Sequence, residues 1–402
     1  MIVHFEPASE EGIASVVRSA AAERVTLSIV GGGTRSGLGN PVRADRTLST
    51  RRLAGIVTYN PAEMTMSALA GTPLAEVEAA LDAKGQMLSF EPMDHRPVFG
   101  TSGEPTIGGV FAANVSGPRR YVAGAARDSL LGVRFINGRG EVIKAGGRVM
   151  KNVTGLDLVK LLAGSYGTLG ILTEVTFKVL PIPPAAATIV VSGLNDAEAA
   201  AVMAEAMAQP VEVSGAAHLP ESVGGRFIGG ALPEGAATAL RLEGLAASVS
   251  LRAQKLASAL ARFGPVATLD LDQTKALWTE IRDAKPYADG TMRPLWRVSV
   301  APSAGHQLVA ALRLQAGVDA FYDWQGGLVW LRMEAECEAE LLRRYIRAVG
   351  GGHATLLRAG EGERTRIPAF EPQAPAVAQL AERLRASFDP SRIFNPGRMA
   401  VA

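Results

Sequence analysis

The chain has 402 residues, 48% of them hydrophobic, with 41 lysines and arginines against 39 aspartates and glutamates for a net charge of +2. At about 150 residues per domain this length predicts two or three domains, each with a core that needs no staple. The basic residues form no run, which argues against a nucleic-acid partner, because neutralising phosphates takes clustered Lys and Arg. A single cysteine, Cys337, excludes an internal disulfide and a cysteine-ligated iron–sulfur cluster in this chain.

The opening MIVHFEPASEEG lacks the apolar core of a signal peptide, and no charge-free apolar stretch reaches the roughly 18 residues of a membrane span. A soluble, cytoplasmic protein without a transmembrane segment is the expectation. Residues 9–23 read as an amphipathic helix with Ile13, Val16, Val17 and Ala20 on one face. A β-prone run at 25–30 stops at Gly31-Gly32-Gly33-Thr34-Arg35-Ser36-Gly37. Strands are expected at 53–59 and 64–70, then a helix over 74–84 stopped by Gly85.

Residues 91–120 read as a long Gly- and Pro-rich coil, of the length that usually carries function. Apolar runs at 131–136 and 141–144 flank Asn137-Gly138, a hairpin signal. A further strand covers 170–180, and Pro181-Ile182-Pro183-Pro184 marks a domain boundary. Beyond it, helices at 197–208, 253–263 and 338–349 alternate with strands at 188–191, 298–300 and 327–331. That pattern predicts an α+β domain with an antiparallel sheet covered by helices.

Glycine is the strongest compositional signal. There are 44, and fifteen of them crowd into residues 100–170. Such density weakens helices and strands unless the backbone must turn sharply or approach a ligand. The run 31–37 offers consecutive backbone N–H groups, a nest suited to phosphate, with glycines leaving room for the pyrophosphate oxygens. It matches neither the Rossmann nor the P-loop pattern. Thr106-Ile107-Gly108-Gly109-Val110-Phe111-Ala112-Ala113-Asn114-Val115-Ser116-Gly117 suits a chain wrapping a flat, polar-edged ring. Gly164-Ser165-Tyr166-Gly167-Thr168-Leu169-Gly170-Ile171 places a Thr between glycines, able to bond a sugar or ring edge.

Together these three blocks resemble the FAD-binding domain of the vanillyl-alcohol oxidase/PCMH-type flavoproteins, over residues 1–182 and 388–399. The resemblance implies an α+β fold: a PCMH-type FAD-binding domain of two α/β subdomains (1–182), then an α+β cap domain (183–385). A C-terminal tail (386–402) would return to the FAD domain. It further implies that Gly31, Gly32, Gly33, Thr34, Arg35, Ser36 and Gly37 hold the pyrophosphate. Thr106, Gly108, Gly109, Ala113, Asn114, Gly117, Gly164, Ser165, Gly167, Thr168, Gly170 and Ile171 would line flavin and adenosine. Asn395, in Phe394-Asn395-Pro396-Gly397, would lie near the isoalloxazine ring.

Gly117-Pro118-Arg119-Arg120, Ala126-Arg127-Asp128 and the run from Gly147 to Leu158 narrow this to a resemblance to the FAD-binding E subunits of bacterial glycolate oxidase. That family implies a complex with a catalytic FAD subunit and an iron–sulfur subunit, oxidising glycolate to glyoxylate, with membrane association only through partners. Covalent relatives attach flavin through a loop histidine. No histidine lies between His4 and His95, so the FAD is expected to be non-covalent. After residue 95 only His218, His306 and His353 remain, too scattered for the metal site of related dehydrogenases, so no metal is expected.

A small 2-hydroxy acid substrate needs a cation for its carboxylate and a base for its hydroxyl. Arg297 is the candidate cation and His353 the candidate base. Their plainer readings are a solvated, ion-paired strand residue and a satisfied turn residue; His95, in the long loop, stands open in the same way. Arg343, Arg344 and Arg347 read as a solvent face, and Cys337 as an inert thiol. Two other functions stay open, a self-sufficient FAD-dependent 2-hydroxy acid dehydrogenase and a non-catalytic module that holds FAD structurally.

Overall fold

The computed structural model describes residues 3–147 and 156–399. Residues 148–155, part of the run used above to narrow the resemblance, lie outside the described residues.

Two small sheets build the first part of the chain. Strands Val3–Phe5, Arg46–Ser49 and Leu27–Val30 pair in parallel, in that order. The helix Glu10–Glu23 supplies their apolar cover, burying Ile13, Ala14, Val17 and Ala20. The Ser9 hydroxyl accepts from the Gly12 amide at 3.1 Å, two glutamates occupy the first turn, and Arg24 ends the helix at φ 56°, each favourable at its terminus. The second sheet is antiparallel, in the order Ile56–Asn60, Thr65–Leu69, Ile171–Lys178, Leu130–Ile136, Val142–Gly146. Its last hairpin turns at Asn137, whose Oδ1 accepts from the amides of Arg139 and Glu141 at 2.9 and 3.1 Å.

The long segment 91–120 is not coil throughout, contrary to expectation. It contains the short helices Arg96–Phe99 and Ile107–Ala112, and Arg120–Ala123 follows. The second forms despite Gly108-Gly109 because Thr106 caps it, its Oγ1 accepting from the Gly109 amide at 3.3 Å. A Cβ on Gly108 would lie 2.6 Å from that of Ala70, so glycine there permits the helix to sit against the strand below.

The second part is an eight-stranded antiparallel sheet whose first strand is Ala185–Ser192, just past the expected boundary. It consists of two βαββαβ units. In the first, helices Asp196–Ala208 and Ala246–Leu260 join strands Ala185–Ser192, Val213–Leu219, Ala237–Gly244 and Val266–Leu269; in the second, Gly305–Arg313 and Ala339–Ala348 join Leu295–Val300, Val318–Asp323, Leu328–Met333 and Gly352–Arg358. Each unit has the fourth strand beside the first and the third between first and second, the split βαβ arrangement. The units meet through one ladder pair, His218 with Tyr322.

Alternate residues of each strand divide the faces, as the pleat requires. Trp296, Val298, Val329, Leu331, Ala354 and Leu356 lie in the core beneath the helices, whereas Leu295, Phe321, Trp330 and Leu357 share a core with Phe90, Val98 and Phe111 of the first part. The eight-stranded sheet thus lies face-on against the first part of the chain. In the C-terminal segment Phe394 bridges in parallel to Leu27, and both are fully buried. Arg343 departs from the solvent-face reading, being buried and donating to the carbonyls of Pro368 and Phe370. Cys337 is buried, and burial pushes its thiol pKa well up.

Candidate functional site

A cleft with a cavity volume of about 120 Å³, open to solvent, runs between the two small sheets. The strand Leu27–Val30 delivers residues 31–36 to one wall, the helix Ile107–Ala112 forms another, and Ser165, Tyr166, Gly167, Gly170 and Ile171 close the far end. No acceptor within the chain meets the backbone N–H groups of Gly32, Gly33, Thr34, Arg35 and Ser36 among the described residues. Unpaired amides of this kind next to a cavity are anion donors.

Two arginines steady the loop from outside. Arg364 donates to the carbonyls of Gly37 and Gly39 at 2.7 and 2.5 Å, and Arg398 to those of Ser36 and Leu38 at 3.3 and 2.6 Å. These bonds occupy the carbonyls of residues 36–39, while the amides of residues 32–36 stay without a partner among the described residues. The Nε atoms of Arg35 and Arg398, both on the cleft wall, are buried without a partner. Burial lowers each guanidinium pKa to about 10, leaving both charged at neutral pH. Orphan amides and orphan guanidinium nitrogens are the donor set a pyrophosphate accepts from. The residues present therefore fit FAD, whose diphosphate lies between two flat rings.

Asn395 ties the cleft's end together. Its Oδ1 accepts from the Ile29 amide at 2.8 Å and its Nδ2 donates to the Tyr166 carbonyl at 2.8 Å. Both Tyr166 and Asn395 have positive φ, 52° and 39°, a cost of order 1 kcal/mol each, tolerated where surrounding structure imposes it.

A sequence profile described as "FAD binding domain" matches residues 2–146. Over 389 residues, 95% of either chain, the protein is 34% identical to the glycolate oxidase subunit GlcE of Escherichia coli (strain K12). The chain belongs to the GlcE family of FAD-linked oxidoreductase subunits. Its cofactor is accordingly FAD. Likeness to the D-2-hydroxyglutarate dehydrogenase of Xanthomonas citri pv. viticola is 36% over 44% of this chain and 36% of that enzyme. Glycolate oxidase subunit GlcD of Bacillus subtilis (strain 168) is 27% identical over 51% of this chain and 42% of its own. In fold, the chain superposes on p-cresol methylhydroxylase with a TM-score of 0.69 at 14% identity, covering 99% of this chain and 88% of that one.

Within this GlcE-family chain, most of the residues expected to hold FAD line the cleft: Gly31, Gly32, Gly33, Thr34, Arg35, Ser36, Thr106, Gly108, Gly109, Ala113, Ser165, Gly167, Gly170, Ile171 and Asn395. Five are placed elsewhere. Gly37 backs onto the Phe99 ring, with a Cβ 3.0 Å from it. Asn114 directs its Oδ1 to the Arg127 amide at 2.9 Å. Gly117 abuts the Glu91 carbonyl, which a Cβ would approach to 2.4 Å, and its own carbonyl accepts from the Trp324 indole. Gly164 makes a turn at φ 82°, and the Thr168 hydroxyl is spent on the Ser165 carbonyl at 2.7 Å.

The glycines also work differently from the expectation that they clear space for phosphate oxygens. A Cβ on Gly31 would lie 2.3 Å from Thr106 Oγ1, and one on Gly32 only 1.7 Å from the Glu104 carbonyl oxygen. These two admit another stretch of the same chain; only Gly33 has its Cβ position open.

Arg297 and His353 sit on neighbouring antiparallel strands, with Arg297 opposite Thr355 and Ser299 opposite His353. Both therefore face away from the helix-covered core, toward the FAD domain. The Arg297 side chain makes no hydrogen bond or ion pair among the described residues, contrary to its plainer reading. Burial lowers the His353 imidazole pKa and the Arg297 charge lowers it further, leaving a neutral base at pH 7. His95 is buried and stacked on Phe99 at 5.5 Å; burial and then Arg35 depress it to about 3, so it stays neutral. Among the described residues, no group of three or more His, Cys, Asp or Glu side chains is placed to hold a metal ion. Sequence reasoning missed Arg398 and the phenol of Tyr166, both on the cleft wall. Tyr166 stood in the third glycine block; Arg398 gave no signal beyond lying next to that tail.

Proposed function

We propose that this chain is the FAD-binding subunit of a glycolate oxidase complex that converts glycolate to glyoxylate, working with a catalytic FAD subunit and an iron–sulfur subunit. The observation that carries this reading is the match to a GlcE subunit along 95% of both chains. FAD, held non-covalently, supplies the two-electron acceptor for the alcohol carbon's hydride. The loop amides at 32–36 with Arg35 bind the diphosphate, and Asn395 fixes the turn at Tyr166 that closes the cleft. Arg297 pairs with the substrate carboxylate, and the neutral His353 accepts the hydroxyl proton. A location in the cytoplasm, with membrane contact only through partner subunits, goes with this reading.

A second reading, a self-sufficient dehydrogenase of a small 2-hydroxy acid, draws on the unpaired Arg297 facing this chain's own FAD domain. The deciding experiment is an anaerobic visible spectrum of the purified chain before and after glycolate, repeated with the partner subunits. Flavin bleached only in the assembly supports the dependent subunit. Bleaching of the isolated chain favours the second reading. Flavin that neither preparation reduces leaves a structural FAD module and defeats both.

A further inference from the structure

Beyond the residues already assigned, the junction of the two domains holds two guanidinium groups that make no ion pair among the described residues. The five arginines buried outright, Arg241, Arg332, Arg343, Arg358 and Arg398, all donate to carboxylates or carbonyls. Arg297 does not. Its nearest partner is an aromatic ring: its guanidinium carbon lies 4.8 Å from the Trp324 ring centroid. A second guanidinium, that of Arg120, lies 4.8 Å from the same ring. Apart from that ring, the Arg120 guanidinium has a 3.4 Å contact with the Ser116 hydroxyl. Burial lowers the Arg297 pKa to about 10, and the Arg120 charge acts in the same direction.

Two acids act on them from a distance, Asp128 on Arg120 and Asp323 on Arg297, and neither forms an ion pair with its arginine; Asp128 lies instead 3.9 Å from Arg127. Asp323 accepts from the Trp324 amide at 2.7 Å, and burial raises its carboxyl pKa to about 7. Two like charges in a place of low dielectric carry a large penalty unless an anion joins them. The ring offsets part of it, since a cation over indole is attracted to the π face. Trp324 is held for this at φ 52°, a left-handed conformation uncommon for a bulky residue. Its Nε1 donates across the domain junction to the Gly117 carbonyl at 3.0 Å. Around these groups stand His353 and the phenol of Tyr166, whose titrations both feel the Arg297 charge.

We propose that Arg120, from the FAD domain, and Arg297, from the cap, form a two-arginine clamp positioned by Trp324 that binds the carboxylate of a small 2-hydroxy or 2-oxo acid. The clamp rests on the functional reading above for its ligand class, and it adds Arg120 and Trp324 to the substrate site. Because its arms come from different domains, it is complete only when the cap is seated. Each guanidinium donates to the carboxylate, and the shared ring keeps both aligned when no acid is bound.

Oxalate is the probe, since it presents a carboxylate and an α-oxygen but cannot give up a hydride. The FAD-loaded chain is titrated with oxalate, read by the flavin's visible absorption and separately by calorimetry, at constant ionic strength. Saturable binding is expected, weakened at least tenfold by Arg120→Lys and by Arg297→Lys, and more by Arg120→Ala. Trp324→Phe, which keeps a ring, is expected to weaken it less than Trp324→Ala. No binding by the wild-type chain in either measurement overturns the clamp. So does an Arg120→Ala variant that melts lower yet binds oxalate like wild type, because Arg120 would then only pack. Glycolate turnover by the assembled complex is measured alongside. Arginine-dependent oxalate binding without turnover would defeat the functional reading and leave the clamp; turnover insensitive to both arginines would do the reverse.

Discussion

Gly32 and Gly33 are neighbours in one loop, yet a side chain at each meets a different fate. At Gly32 the added carbon would overlap the Glu104 carbonyl, 1.7 Å away, whereas at Gly33 nothing lies within 4 Å and only the φ of 76° resists. Gly32→Val should force the 103–106 segment off the loop and abolish flavin retention. Gly33→Ala should cost about 1 kcal/mol of stability through its backbone alone and keep its FAD. The ratio of flavin to protein absorbance after gel filtration, with melting curves for both variants, checks this; a folded Gly32→Val chain with full flavin would refute it. The sequence signals that glycine is needed at 31–33, but not why. What occupies the Cβ positions of Gly31 and Gly32 comes from about 70 residues further on and depends on the fold. The same limit hid Arg398, whose guanidinium finds the loop carbonyls only after the tail has returned.

Among elements, those with a strong apolar period were legible, because burial of one face is a local property of the pattern. The helix Glu10–Glu23 and the strand Thr65–Leu69 fall within a residue of expectation. The helix Ile107–Ala112 was not, since its glycines lower helix propensity and a cap and a close packing contact restore it. The order of strands in the cap sheet was equally hidden, as pairing is decided by partners far along the chain. One strand illustrates this: Ala237–Gly244 carries Arg241 and Glu243 into a buried network with Glu91 and Arg119 of the FAD domain. Burial alone would raise the Glu243 carboxyl, but Arg241 and Arg119 outweigh it and hold it down at about 2. A carboxyl lowered on folding stabilises the fold above its unfolded value, near 4.5, and that contribution is lost as pH falls toward 2. Glu243→Gln should therefore cost about 3–5 kcal/mol at neutral pH by leaving buried arginine charge unpaired. Its stability should also vary less than wild type's between pH 4.5 and 2. Urea unfolding at a series of pH values reads both effects; parallel pH profiles would refute the assignment.

At the scale of the whole molecule, three glycine blocks and Phe394-Asn395-Pro396-Gly397 were legible as motifs in order, and residues from all four line one cleft. The meeting of the domains was not readable. It depends on Trp324, on Arg120, which stood out only as part of a family motif, on the Glu91 network, and on a cap built from two similar units whose strands share one ladder pair. Removing residues 393–399 should leave the cap's sheet intact, since none of its strands uses them, yet empty the cleft of flavin. Flavin content and far-ultraviolet circular dichroism test this; a truncated chain that keeps its FAD would refute it.

The tie made by Asn395 also sets an order of events during synthesis. The ends it joins, Ile29 and Tyr166, are made before the cap, and the residue that joins them is made after it. Between residue 182 and residue 395 the ribosome needs about 10–45 s at 5–20 residues per second. Throughout that interval the nascent cofactor pocket stands without its fastener. The cleft is therefore fastened only once the whole cap has been made, so flavin reaching the pocket earlier would meet it without the tie between Ile29 and Tyr166.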